Sequence, residues 1–333
     1  MLHRIGKTIA VVVLALAGAR ANAATLLNVS YDVSREFYKD YDAAFSKHWQ
    51  QQGGGDLTIN QSHGGSSKQA RSVADGLEAD VVTLNQASDI DFLAGHGLLP
   101  LDWDKGFANS SSPFSSTIVF LVRKGNPKGI RDWGDLVKPG VQVIIPNPKI
   151  SGNGRYSYLA AWIYALKQPG GNDKSARDFV GSLFHNVPVL DAGGRAATTT
   201  FAERGIGDVL LTFENEVYLT QREFGADKVD IVYPSVSVEA DLPVAVVSKY
   251  AQKHGTATLA QAYLAWLYSP EAQDIAAHHY LRPRDTAVFK RNASLFKPIT
   301  LYSVKDVFGG WQQAQHRHFD DGGVFDQLYQ PGK

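Results

Sequence analysis

The chain has 333 residues, 33 Lys and Arg against 33 Asp and Glu, and no cysteine. That length suits about two lobes rather than one simple core. Balanced charge offers no basic face for nucleic acid, and the lack of cysteine excludes a disulfide framework and a lipid-anchored thiol.

The N-terminus reads as an export signal. His3, Arg4 and Lys7 supply positive charge, Ile9 to Ala19 is a short apolar run, and Ala21-Asn22-Ala23 has the small-x-small pattern of a cleavage site. The run is too short for a permanent membrane span. Residues 1–23 are therefore expected to be a signal peptide, with a buried N-terminal helix as the competing reading.

Strand and helix patterns then alternate. Leu26 to Ser30 is strand-like, and Ser34 to Trp49 is helical, with Phe37, Tyr38, Tyr41, Phe45 and Trp49 near helical spacing. Leu57 to Gln61 reads as a strand, Lys68 to Leu77 as a helix and Val81 to Leu84 as a buried strand. Asn109-Ser110-Ser111-Ser112-Pro113 is turn-rich and is the first candidate for a crossing between lobes. Strands are expected at Thr117 to Arg123, Val141 to Ile145, Val187 to Leu190, Val209 to Thr212 and Leu242 to Val247. Helices are expected from Asp132, over Tyr156 to Leu166, Ala257 to Leu267 and Glu271 to His279, with one helical turn at Ala202 to Gly207. This order predicts an α/β protein with a largely parallel sheet, in which ligands sit beyond the carboxyl ends of the strands.

Three Gly/Ser-rich clusters fall at that location: Ser62 to Lys68, Ser151 to Arg155 and Gly193 to Thr200. The first N–H groups of a helix have no partner within it, and the helix dipole makes that end positive. Taken singly, each cluster reads equally as an ordinary cap. Together they point to loops converging on one small anion. Arg155 and Arg195 could pair with an anion or brace the loops from behind, and Asp32 could cap a helix or organise neighbouring donors.

Catalytic signals are weak. Ser62 to Lys68 lacks the spacing of a Walker loop. His63-Gly64-Gly65 would suit an oxyanion loop, but no Gly-x-Ser-x-Gly elbow occurs. His278, His279, His316 and His318 do not form a zinc pattern and read as surface or partly satisfied histidines. No enzyme, metal or cofactor is expected. A secreted hydrolase using His63 and Ser66 is the reading from another class.

Several segments together carry a resemblance: Asn28-Val29-Ser30-Tyr31-Asp32, Gln61-Ser62-His63-Gly64-Gly65-Ser66, Phe120 to Pro127, Pro146-Asn147-Pro148-Lys149 with Ser151-Gly152-Asn153, Gly205 to Leu210, and Phe308-Gly309-Gly310-Trp311. Over essentially the whole mature chain the sequence resembles the periplasmic sulfate- and thiosulfate-binding proteins, soluble receptors of ABC importers. The resemblance implies a type II binding protein of two α/β lobes with a hinge and an oxyanion buried between them. Residues 24–112 and 241–333 would form one lobe, and 113–240 the other. It implies donors at Ser66, Ser151, Gly152, Asn153 and Gly194, with Asp32, Ser34, Arg155 and Arg195 in support. It also implies a periplasmic monomer with an inner-membrane permease as partner. Where the sulfate receptors place a tryptophan donor, this chain has Phe213, which has none. Phe213, Tyr31 to Arg35, Ser66 to Gln69 and Asn85-Gln86 look like the thiosulfate-binding branch. Sulfate or thiosulfate is thus the expected ligand, with molybdate or phosphate as alternatives in the same fold.

Overall fold

A computed structural model describes residues 23–329; residues 1–22 of the expected leader lie outside it. In chain order its first elements are β1 (Ala24–Tyr31), α1 (Arg35–Gln51), β2 (Leu57–Gly64), α2 (Ser66–Ala74), β3 (Val81–Thr83), α3 (Ala87–Gly95) and the single turn α4 (Ala108–Ser111). Then follow β4 (Phe114–Arg123), β5 (Val143–Pro146), α5 (Gly152–Leu166), α6 (Asp173–His185), β6 (Leu190–Asp191), α7 (Gly194–Ala202), β7 (Val209–Phe213) and α8 (Glu214–Phe224). The last part holds β8 (Val229–Val232), β9 (Val236–Asp241), β10 (Val244–Val246), α9 (Ser248–His254), α10 (Ala257–Trp266), α11 (Pro270–His278), β11 (Arg282–Pro283), α12 (Thr286–Arg291), β12 (Thr300–Ser303), α13 (Val304–Phe308), α14 (Trp311–Ala314) and α15 (Val324–Leu328).

The strands form two sheets. One runs β10-β3-β1-β2 and the other β12-β9-β4-β7-β5-β6, with β8 and β11 also on β4. The sheets are mixed rather than largely parallel: β1 pairs parallel to β2 and β3, and β5 to β6 and β7, but β10 runs antiparallel to β3 and the central β4 runs antiparallel to β7, β8, β9 and β11, with Phe114 to Val122 buried without interruption. On α1, Phe37, Tyr38, Tyr41 and Phe45 are buried, so the aromatic periodicity of that helix is its core face. Among the described residues the chain crosses between the sheets three times, just before β4, between β9 and β10, and between α11 and β11. The first crossing follows a left-handed turn, with φ of 55°, 51° and 57° at Asn109, Ser110 and Ser111. Such conformations cost about 1–2 kcal/mol per residue. Ser111 Oγ offsets part of this by accepting from the Phe107 N–H at 3.1 Å and donating to the Trp103 carbonyl at 3.0 Å.

The C-terminal portion departs from the expected division at 241. β12 pairs parallel to β9, with Thr300 opposite Val236, and so joins the second sheet. Beyond it, Trp311 packs edge-on against Tyr156 at 4.9 Å, and Phe319 and Phe325 pack against Tyr158. The aromatic face of α5 needs a cover, and the last helices supply it.

Local boundaries also differ. Helices α2, α5 and α7 begin at Ser66, Gly152 and Gly194, so the Gly/Ser residues form the first helical turns rather than loops before them. The strand expected at Val187 to Leu190 is reduced to Leu190–Asp191, an edge strand pairing only with Ile145 and Pro146. The helical turn expected at Ala202 to Gly207 is absent, because α7 ends at Ala202 and Gly205 and Gly207 have positive φ.

Candidate functional site

Strand register places the helix starts level with one another. Tyr31 pairs with Gly64 at the carboxyl ends of β1 and β2, and Pro146 with Asp191 at those of β5 and β6. The chain turns from these ends into α2, α5 and α7. A Cβ built on Gly65 would lie 3.2 Å from the Ala192 carbonyl oxygen and 3.3 Å from that of Ile150. The three clusters, far apart in sequence and drawn from both sheets, therefore meet at one seam. Ser66, Ser151 and Asn153 are at most 2% exposed there, and Phe213 is fully enclosed.

At this seam the backbone has donors to spare. Neither Gly65 before α2 nor Gly193 before α7 provides a side-chain cap. Among the described residues, the N–H groups of Ser66, Gly152, Asn153 and Gly194 have no protein acceptor. Ser151 caps α5 by accepting from the Gly154 N–H at 3.4 Å, which leaves its hydroxyl hydrogen available.

Around these donors the polar side chains are already committed. The Asp32 Oδ1 atom accepts from the Val33 N–H at 3.0 Å and Oδ2 from the Arg195 N–H at 3.1 Å. Burial raises its pKa, while the Arg195 N–H and guanidinium act in the opposite direction. Ser34 Oγ donates to the Tyr31 carbonyl at 2.6 Å and lies 2.7 Å from Ser30 Oγ, so it locks the end of β1. Arg155 does brace its loop, donating to the carbonyls of Pro148 at 2.9 Å and Lys149 at 3.0 Å. It also crosses the seam, donating to Ser67 Oγ at 3.0 Å and approaching Asp89 Oδ1 at 3.6 Å. Arg195 is held by Glu36 at 3.0 Å, Glu223 at 3.4 Å and Glu216 at 3.5 Å. Glu216 is fully buried, and burial pushes its carboxyl up to about 7 against the lowering effect of Arg195. The Asn153 carboxamide donates to Thr212 Oγ1 at 2.8 Å. Phe213, at the end of β7, meets the rings of Tyr31 at 6.4 Å and Tyr156 at 5.7 Å.

Sequence reasoning missed Asp89, which accepts from Ser66 Oγ at 2.6 Å and Ser67 Oγ at 2.8 Å and ties the first turn of α2 to α3. It also missed Glu36 and Glu216, the partners of Arg195. A lone carboxylate on a helix carries no local signal of such a role. His318, read as a surface or partly satisfied histidine, is fully buried and partly satisfied: Nδ1 lies 2.9 Å from Tyr158 Oη, and Nε2 has no partner among the described residues. The Ser–His pair that a hydrolase needs is not made: Ser66 Oγ donates to Asp89, and His63 Nδ1 lies 3.4 Å from the Tyr31 carbonyl.

Two α/β units, with three helix starts meeting at the seam between them, have the arrangement of a two-lobed solute receptor. The family model described as bacterial extracellular solute-binding protein matches residues 27–282. The chain belongs to this family. It is 58% identical over 319 residues to a thiosulfate-binding protein of Pseudomonas aeruginosa, covering 96% of each chain. It is 54% identical over 315 residues to a sulfate-binding protein of Escherichia coli, covering 95% of this chain and 96% of the other. Among solved structures, it is similar to the sulfate-binding protein SubI from Mycobacterium tuberculosis H37Rv, with a TM-score of 0.81, 35% identity, and coverage of 89% of this chain and 99% of that one.

Proposed function

We propose that this protein is a periplasmic receptor that captures sulfate or thiosulfate between its two lobes and delivers it to the permease of an ABC importer. The observation that carries this reading is the meeting of three helix N-termini at one buried seam, with unpaired N–H groups at Ser66, Gly152, Asn153 and Gly194. Arg155 and Arg195 are held by carboxylates and carbonyls of the protein, so in this reading neutral donors face the ligand and these arginines hold the donors in place. Each charge-assisted bond contributes about 1.5–3 kcal/mol, and several together offset the dehydration of a small dianion. Both carboxylates beside the seam, Asp32 and Asp89, already accept from N–H or hydroxyl groups. Both are thus engaged in holding the donors of the seam, and neither is dedicated to the proton of a hydrogen phosphate, which disfavours that anion.

In this reading Phe213 faces the sulfur of thiosulfate, an acceptor poorer than oxygen, and sulfate binds in the same site. The protein acts as a monomer, released by cleavage near Ala23, and its lobes close about the three crossings between the sheets. Titration calorimetry with sulfate, thiosulfate and phosphate tests the proposal. Tight binding of phosphate, or no binding of either sulfur oxyanion, refutes it.

A further inference from the structure

Asn85 follows β3 and faces the opposite lobe. It is 3% exposed, and its backbone N–H donates to Ser66 Oγ at 3.3 Å, which ties it to the first residue of α2. Its side chain reaches across the seam to the first residue of α5. A Cβ on Gly152 would collide with the Asn85 carboxamide oxygen and lie 2.7 Å from its carbon and 3.0 Å from its nitrogen. Only glycine at 152 permits this approach. The carboxamide oxygen is nonetheless buried without any hydrogen-bond partner. A desolvated amide left unsatisfied is costly, and a group placed so closely between two helix starts calls for a partner the protein itself does not supply.

From this juxtaposition we infer that Asn85 is a further ligand-contacting residue, whose carboxamide N–H donates to an oxygen of the bound anion. This rests on the oxyanion reading above. A half-turn about the Cβ–Cγ bond exchanges the oxygen and the nitrogen of the amide. An anion held by the N–H groups of Ser66 and Gly152 selects the arrangement with the NH2 toward it, and the orphaned oxygen then turns away from the seam. Phe213 contributes no donor on the side of the second sheet, and Asn85 adds a neutral one from the first. It thereby fixes which anion atoms must be good acceptors and leaves the poorest one for the phenylalanine.

The test is calorimetry of sulfate and thiosulfate on the wild type, Asn85→Ala and Asn85→Asp from pH 6 to 8.5, with thermal unfolding of each ligand-free protein. Asn85→Ala should weaken both anions by about 10- to 100-fold without lowering ligand-free stability to match. Asn85→Asp keeps the shape but donates only when protonated. Its affinity relative to the wild type should therefore fall about tenfold per pH unit above the carboxyl pKa. An Asn85→Asp protein within about threefold of the wild type at every pH shows that residue 85 does not meet the anion, and that result overturns the inference. Should Asn85→Asp fail to fold, an Asn85→Ala protein with unchanged affinities overturns it equally. Tight hydrogen phosphate binding by the wild type that is lost in Asn85→Ala would make the oxygen an acceptor and refute the donor role. A wild type that binds none of the three anions sinks the function proposed above, a result distinguishable from failure of the Asn85 variants alone.

Discussion

Replacing Arg155 with methionine should separate what holds the second lobe together from what holds the two lobes against each other. Two of its donors, to the Pro148 and Lys149 carbonyls, stay within its own lobe, whereas the contacts to Ser67 Oγ at 3.0 Å and Asp89 Oδ1 at 3.6 Å cross the seam. The side chains of both ions are nearly buried, at 6% and 7% exposure. Removing one partner of a buried pair costs about 3–5 kcal/mol when the other charge stays behind uncompensated. Here Asp89 keeps the Ser66 and Ser67 hydroxyls, so the cross-seam loss should be closer to the 1.5–3 kcal/mol of one charge-assisted bond. That cost falls on the closed state, and the dissociation constant for sulfate should rise by about 10- to 150-fold. Calorimetry of Arg155→Met, Asp89→Asn and the double variant forms a cycle. The double variant should bind more tightly than the two single losses predict, by at least about 1 kcal/mol, because the orphaned carboxylate is then gone. An affinity of Arg155→Met within about threefold of the wild type, or strictly additive losses, would refute the latch.

Gly154→Ala should destabilise the fold by at least about 2 kcal/mol in urea denaturation, because its Cβ would strike the Pro146 carbonyl, a backbone neighbour that cannot swing aside. A variant as stable as the wild type would contradict that close approach. Burial lowers the pKa of His318 from 6.5 to about 4, so its neutral form stabilises the fold above pH 6.5 and this contribution, about 3 kcal/mol, is lost as pH falls toward 4. Glu216 and Asp42, raised to about 7 and about 6, act in the opposite direction over their own windows. The measurement is therefore the wild-type advantage over His318→Gln, which should shrink between pH 7.5 and 4.5; an unchanged advantage would be evidence against a buried neutral imidazole. Because the proposed donors are neutral and enclosed, the sulfate affinity should change less than about threefold between 0.05 and 0.5 M sodium chloride. A steep salt dependence would instead assign binding to surface charge.

Much of this protein was legible in its residues. The aromatic stripe from Phe37 to Phe45, the alternation of strands and helices, and the three Gly/Ser clusters are local patterns set by backbone sterics and helical periodicity, which one stretch of chain displays by itself. The clusters were placed correctly but a few residues outside their helices. Glycine is a poor helix former in isolation, costing about 1 kcal/mol relative to alanine, and here tertiary contacts such as that of Gly152 with Asn85 hold it in the first turn. What the sequence could not decide is partnership across distance. Asp89 with Arg155, Asp32 with the Arg195 N–H, and Asn85 with Gly152 join residues 66, 163 and 67 positions apart. The assignment of the last helices to the second lobe likewise depends on which aromatic face lacked a cover. Hydrogen bonds and burial act over a few ångströms of space, so the chain carries the donors and the fold alone determines which of them meet.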